Sequence, residues 1–144
     1  MLNVPKTQLA RFLAHAKNGL PYEACALLSG TLDGANATVQ WIYLLTNMDQ
    51  SPEHFSMDPK EQFAAIKDMR RHGWALLGNL HSHPSSPPRP SAEDKRLAFD
   101  PSLRYLILSL MDEEPVLRCF HIRGGHMEKE PITLLEDEKM GVVE

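Results

Sequence analysis

Trp74-Ala-Leu-Leu-Gly-Asn-Leu-His-Ser-His-Pro84 is the stretch on which the reading of this chain turns. Trp74 to Leu80 is short and almost wholly apolar, the composition of a buried strand rather than a surface one. Pro84 stops it, because proline has no amide hydrogen to give a central ladder. Further prolines at 87, 88 and 90 keep the next segment out of helix and sheet. Ser91 then opens a short helix expected to reach about Phe99.

Upstream, Leu9, Phe12, Leu13 and Ala16 recur at helical spacing between Lys6 and Asn18. Gly19 stands where a left-handed C-cap belongs, and Pro21 forbids continuation. Glu23 to Ser29, ended by Gly30, and Thr38 to Leu45 read as two strands, with Asp33-Gly34 turning between them into a hairpin. Asn47 to Met57 is a polar loop. Asp58-Pro59-Lys60-Glu61 is a helix start, with Asp as N-cap, Pro at the first helical position and Glu three residues on. That helix is expected to run to about His72 with Phe63, Ile66 and Met69 inward, and Gly73 ends it. Downstream, Arg104–Leu110 and Pro115–Ile122 read as strands, and Gly124-Gly125 turns into a last strand near Met127 to Leu134. The pattern predicts one α+β domain over residues 1–135 with a mixed β-sheet flanked by helices. An acidic tail, 136–144, is expected to be disordered outside it.

Composition narrows the function classes. The chain has 144 residues, 42% apolar and 24% charged, with 15 basic and 19 acidic residues and a net charge of −4. That length suits one domain with its own core. The acidic balance argues against a nucleic-acid binder working by phosphate neutralisation, and the basic cluster Lys67, Arg70, Arg71 is broken by Asp68. No apolar run approaches the ~18 residues of a membrane span, and the first residues lack the pattern of a signal peptide. Cys25 and Cys119 make neither a disulfide framework nor a CxxC pair. A cytoplasmic location is expected.

The chemistry sits at the end of the buried strand. Successive strand residues face opposite sides, so His81 and His83 emerge on one face and both rings can reach one ion. Asp94 lies three residues beyond Ser91, in the first turn of the following helix. Two imidazoles and a carboxylate are the donor set of a catalytic zinc site, and zinc held this way lowers the pKa of water to roughly 7. Such a site still needs a base, and the chain has no His-Glu-x-x-His segment. Glu23, opening an apolar strand where an ionised carboxylate is costly, is the candidate. Ser91 can donate its hydroxyl to an oxyanion. Each signal has a plainer reading: His-x-His occurs by chance at strand ends, Ser91…Asp94 is also a helix-capping box, and a lone Glu near a strand start is usually solvated. The joint spacing is what favours zinc chemistry.

Glu23, His81-Ser82-His83-Pro84, Ser91 and Asp94 together resemble the JAMM (MPN-plus) metalloproteases. Pro21-x-Glu23-x-Cys25…Gly30, Asn47 and His54-Phe55-x-Met57-Asp58-Pro59 extend the resemblance to the small prokaryotic branch of that family. It implies a curved mixed sheet in a three-layer, cytidine-deaminase-like architecture. It also implies one zinc ion on His81, His83 and Asp94, Glu23 as general acid/base and Ser91 steadying the intermediate. The implied reaction is hydrolysis of amide or isopeptide bonds at the Gly-Gly tail of ubiquitin-like proteins or small sulfur carriers, in some members releasing a terminal cysteine. Two positions depart from the family pattern: Ala26 stands where glycine is usual, and Asn79 where an apolar residue is common. Nine residues separate Asp94 from Arg104, which leaves no room for the insertions of the polyubiquitin-cleaving relatives.

Two rivals come from other classes. One is a scaffold module that binds a Gly-Gly tail without cutting it. The other is a DNA-repair-associated protein, since one such family carries a similar His-x-His-Pro…Ser-x-x-Asp run with an added helical DNA-binding region. Of the remaining histidines, His15 and His72 are read as cations at helix ends, and His121 and His126 as exposed. His54 is read first as structural. Cys25 is read first as a small buried hydrophobe that can also line the site.

Overall fold

The computed structural model describes residues 1–136, so the expected disorder of the tail lies, from residue 137 on, outside the described residues. The elements run β1 (Leu2–Pro5), α1 (Lys6–Asn18), β2 (Cys25–Asp33), β3 (Asn36–Leu45), α2 (Pro59–His72), β4 (Ala75–His83), α3 (Ala92–Arg96), β5 (Arg104–Ser109), β6 (Val116–Arg123), β7 (His126–Glu130) and β8 (Ile132–Leu135). The strands form one mixed sheet in the order β7-β6-β5-β4-β2-β3-β1-β8. β4 runs parallel to β5, and β1 parallel to both β3 and β8, while the other pairs are antiparallel.

β7 and β8 are the two outer strands of that order, yet only Pro131 separates them along the chain. The sheet therefore curls until its edges meet, which covers edges that would otherwise be open to pairing. The single last strand expected from Met127 to Leu134 is thus two. Pro131 has no amide hydrogen to carry the β6 ladder onward, and its carbonyl accepts from Leu2 of β1 instead. β1 itself was not expected: four residues ending in proline show too little alternation, and its pairing with β3 and β8 makes it a strand.

Side-chain alternation divides the core into two layers. Ala24, Ala26 and Leu28 face α1, where Phe12 and Ala16 are buried. Cys25, Leu27 and Leu45 face α2, with Ala65 and Met69 buried there. A register shift between Leu28↔Gly78 and Ser29↔Leu76 makes Leu77 the extra residue of a bulge, so Leu77 and Leu80 both join the α1 layer. Gly78 is required where β4 meets β5, because a Cβ there would lie 1.9 Å from the Arg104 carbonyl oxygen.

The two long helices follow the sequence with three corrections. Asp58 caps α2 by accepting from Lys60 N–H, and Gly73 closes it in the left-handed region at φ 72°. Gly19, by contrast, is right-handed at φ −87°, because its N–H already reaches the His15 and Ala16 carbonyls. Glu61 does not complete a capping box; its carboxylate accepts from Thr46 N–H and Oγ1 at the end of β3. Phe63 is 66% exposed, since the face of α2 toward the sheet runs through Ala65 and Met69. Among the described residues no helix is long and apolar enough to cross a membrane.

Glu130 closes the seam of the curled sheet. Its carboxylate accepts from Arg104 Nε at 2.7 Å and Nη2 at 3.2 Å, from the Met1 amino group at 2.8 Å and from His121 Nε2 at 2.9 Å. His121 is therefore tied into the seam rather than exposed as expected. Burial opposes the charge of Glu130, but these partners outweigh it and hold the carboxyl at about 2. A folded-state pKa below the unfolded one contributes stability above the unfolded value, which is lost as pH falls toward the folded value. Glu130→Gln is accordingly expected to cost on the order of 2–3 kcal/mol at pH 7. It should also flatten the acid limb between about pH 4.5 and 2. Urea unfolding across that range checks both.

Candidate active site

The β2–β4 pairing brings the acid and the histidines together. Cys25 stands opposite His81, and continuing that antiparallel register puts Glu23 across from His83. Ser82, between the two histidines, points to the other face and locks the junction. Its Oγ accepts from Ala24 N–H at 2.8 Å, while its own N–H donates to the Ala24 carbonyl at 2.9 Å. The parallel neighbour β5 supports β4 from the other side through the His81↔Ile107 and His83↔Ser109 pairs. His81 and His83 thus project from a strand held on both flanks, on the face opposite α1.

Asp94 reaches them from α3. Its Oδ2 lies 3.3 Å from Nε2 of both His81 and His83, and those two nitrogens are 3.1 Å apart. Together these three residues offer one ligand atom each, all within 4.8 Å of one another. The same Asp94 Oδ2 accepts from Ser91 N–H at 2.9 Å, and Ser91 Oγ accepts from Asp94 N–H at 3.0 Å. Ser91 and Asp94 therefore form a complete capping box whose carboxylate also faces both histidines. α3 has five residues and none of them is buried, so this box is what aims the carboxylate. It leaves the Ser91 hydroxyl hydrogen uncommitted. The helix is shorter than the expected run to Phe99, which is itself 83% exposed.

The histidines are held in different ways. His83 Nδ1 lies 2.8 Å from the Pro87 carbonyl. A carbonyl only accepts, so Nδ1 carries the hydrogen and the neutral ring turns the lone pair of Nε2 toward His81 and Asp94. His81 Nδ1 is buried with no hydrogen-bond partner among the described residues. A ring of Phe55 instead stacks on His81 at 4.7 Å between centroids and 28° between planes. Burial pushes His81 below the usual histidine range despite the Asp94 carboxylate. For His83 burial acts in the same direction, but Asp94, the Pro87 carbonyl and Glu23 outweigh it and raise its pKa. Burial also opposes the charge on Asp94, yet both histidines hold it well below the carboxylate range.

Glu23 is 4% exposed and its Oε1 has no hydrogen-bond partner among the described residues. Burial pushes its carboxyl up to about 8; His83 works against this, and Asp94, Glu93 and Glu53 work with it. Its backbone is pinned by the 47–57 loop: Glu23 N–H donates to the Ser51 carbonyl at 2.7 Å, and Asn47 Nδ2 donates to the Glu23 carbonyl at 2.9 Å.

All five residues expected to carry the chemistry therefore come from three chain segments onto one side of the sheet. His54 does not join them; its Nδ1 pairs with Asp49 Oδ2 at 3.1 Å near the surface. Cys25 is packed into the α2 layer, and burial, with Glu61 and Glu23 adding to it, pushes its thiol up to about 12. Asn79 lines a small cavity of about 50 Å³ beside His81, Asp94 and Phe55. A larger one, about 670 Å³, opens on the α1 side between Leu13, Val116 and Ile132, away from these residues. Sequence reasoning missed Phe55 and Ser82 as site neighbours. Strand alternation places Ser82 on the far face and was enough to find it; a single aromatic in a polar loop carries no periodic signal.

Comparison with known proteins bears on this arrangement. A family model described as prokaryotic homologues of the JAB domain matches residues 5–123. A CysO-cysteine peptidase of Mycobacterium tuberculosis is 30% identical over 125 residues, 86% of this chain and 84% of that protein. A desampylase of Haloferax volcanii is 33% identical over 102 residues, 67% of this chain and 72% of its own length. The solution structure of a protein from Desulfitobacterium hafniense is 56% identical, with a TM-score of 0.88 and 94% of each chain covered.

Proposed function

Because the chain belongs to the family of prokaryotic homologues of the JAB domain, we propose that it is a zinc-dependent hydrolase acting at the Gly-Gly tail of a ubiquitin-like or sulfur-carrier protein. The bond cut is an amide, either an isopeptide or a terminal peptide bond. The names of two relatives, CysO-cysteine peptidase and desampylase, support the substrate class. The observation that carries the reading is the convergence of His81, His83 and Asp94 beside the buried Glu23, whose Oε1 has no partner among the described residues.

The donor set fits zinc: two imidazole nitrogens, one fixed as a lone-pair donor by Pro87, and one carboxylate. Zinc bound there supplies a Lewis acid for the carbonyl and a water of lowered pKa. Glu23 takes a proton from the attacking water and returns it to the departing amine as the carbon–nitrogen bond breaks, so that water and amide become carboxylate and ammonium. A carboxyl raised to about 8 by burial holds a proton readily. A cation held by His81, His83 and Asp94 would lower it again and keep Glu23 able to act as a base. The free Ser91 hydroxyl hydrogen donates to the carbonyl oxygen as negative charge develops there. An extended glycine-rich tail offers main-chain hydrogen bonds as its chief handle, which suits docking as an added strand. The buried, unpaired state of Cys25 and Cys119 accords with a cytoplasmic setting.

The test is paired: zinc per chain on the purified protein, then mass spectrometry of a Gly-Gly-Cys-tailed carrier protein after incubation. One zinc with loss of the terminal cysteine is the expected outcome. One zinc without cleavage of this or an isopeptide-linked carrier sinks the substrate assignment. Absence of zinc after reconstitution makes the protein a module that holds the tail without cutting it.

A further inference from the structure

A histidine that binds a metal is normally oriented by a hydrogen bond from its other ring nitrogen. His83 has one, to the Pro87 carbonyl at 2.8 Å. His81 has none, although it is 3% exposed and its Nδ1 is fully enclosed. Something else must fix the rotation of that ring, because a ligand free to turn loses part of its affinity to the entropy of being held. Among the described residues the one aromatic ring stacked on it is Phe55, nearly parallel at 28° and 4.7 Å away.

Phe55 lies in a loop, so it can serve as a support only if the loop is itself rigid. Asn47 makes it so. Its Oδ1 accepts from Asp49 N–H at 2.9 Å and Ser56 N–H at 3.1 Å, and its Nδ2 donates to the carbonyls of Glu23 at 2.9 Å and His54 at 3.2 Å. Met48 N–H adds a bond to the Ser56 carbonyl, and Asn47 and Met57 pair as an isolated bridge. The Phe55 side chain also packs against the α2-side core. One asparagine thus bonds to the residues on both sides of Phe55 and to the backbone of Glu23.

We infer that Phe55 is a positioning residue for zinc binding: its ring, held by the Asn47-centred loop, orients His81 in the role that a hydrogen bond fills for His83. The inference rests on the zinc reading above. It places the ring orientation of one ligand and the backbone of the proton-transfer group under the control of a single loop.

The experiment measures zinc affinity by chelator competition, and the visible spectrum of the cobalt(II)-substituted protein, for wild type, Phe55→Ala, Phe55→Leu and Phe55→Tyr. Cobalt reports the geometry of the ligands directly, without any substrate. Phe55→Ala is expected to bind zinc roughly 10–100-fold more weakly, the range seen when an orienting partner of a metal ligand is removed. Its cobalt bands should shift as well. Phe55→Tyr, which keeps the ring face, is expected to restore both. Phe55→Leu keeps apolar bulk without a ring and is expected to side with alanine; it stands in should Phe55→Ala fail to fold. Zinc affinity of the alanine and leucine variants within about threefold of wild type, with unchanged cobalt spectra, overturns the inference. A wild-type protein that binds neither metal overturns the zinc reading itself, so the two failures are distinct.

Discussion

Glu23→Gln is expected to lower turnover by about 10²–10⁴-fold while zinc content stays at wild-type level. The substitution keeps the size and shape of the side chain and removes only its ability to take and return a proton. None of the three converging ligand atoms belongs to it. A second consequence separates this variant from a merely damaged one. Glu23 is buried with an unpartnered oxygen and a carboxyl near 8, well above its ordinary 4.5. Between those values the unfolded chain has released the proton and the folded one has not, so this group subtracts stability as pH rises through that window. The zinc-free Glu23→Gln protein should therefore be more stable than zinc-free wild type at neutral pH, by on the order of 2–4 kcal/mol. Steady-state kinetics, metal analysis and urea unfolding of the metal-free forms check the three parts. Wild-type turnover in this variant would falsify the proton-transfer role.

Asp94→Ala is expected to abolish both zinc retention and turnover, with affinity falling by at least about 10²-fold, more than removal of an orienting partner costs. Three things leave with the carboxylate: a donor atom, the counter-charge to His81 and His83, and the acceptor for Ser91 N–H. Two buried imidazoles then face each other at 3.1 Å with nothing between them that favours a cation. α3 also loses half of its capping box, worth about 1 kcal/mol. Asp94→Asn distinguishes the contributions. It retains an oxygen for Ser91 N–H, so the helix start should survive, but it gives up the charge and much of the metal affinity. Zinc titration followed by calorimetry separates the two losses. Zinc bound as tightly to Asp94→Ala as to wild type would remove Asp94 from the ligand set.

Most of the site was legible because its chemistry depends on local spacing. His-x-His on a strand puts two rings on one face whatever the rest of the chain does. Ser91…Asp94 at the start of a helix is a capping box by sequence, and the structure shows the same oxygen serving the box and the histidines. The elements that were misread depended on distant partners. β1 is a strand because β3 and β8 flank it, and Pro131 divides what looked like one strand because its halves pair at opposite edges of the sheet. Phe63 follows the helical period of an inward stripe, but the inward direction of α2 is set by the sheet beneath it, which receives Ala65 and Met69.

By itself the sequence determined the element types along most of the chain, the α+β class with its mixed sheet, and the five residues that carry the proposed chemistry. The element types, the His81–His83 pair and the Ser91–Asp94 box follow from the short-range rules of alternation, capping and proline geometry, whereas Glu23 stood out through the cost of a carboxylate in an apolar strand and through the family resemblance. Only the tertiary structure decided that the sheet curls until β7 and β8 meet at Glu130, and that Glu23 lies beside His83. It alone decided that Phe55 rests on His81 and that Asn47 ties that loop to the Glu23 backbone. Those contacts join residues 24 to 129 positions apart. No local preference encodes them, because they form only when burial of both sheet faces draws distant strands into register.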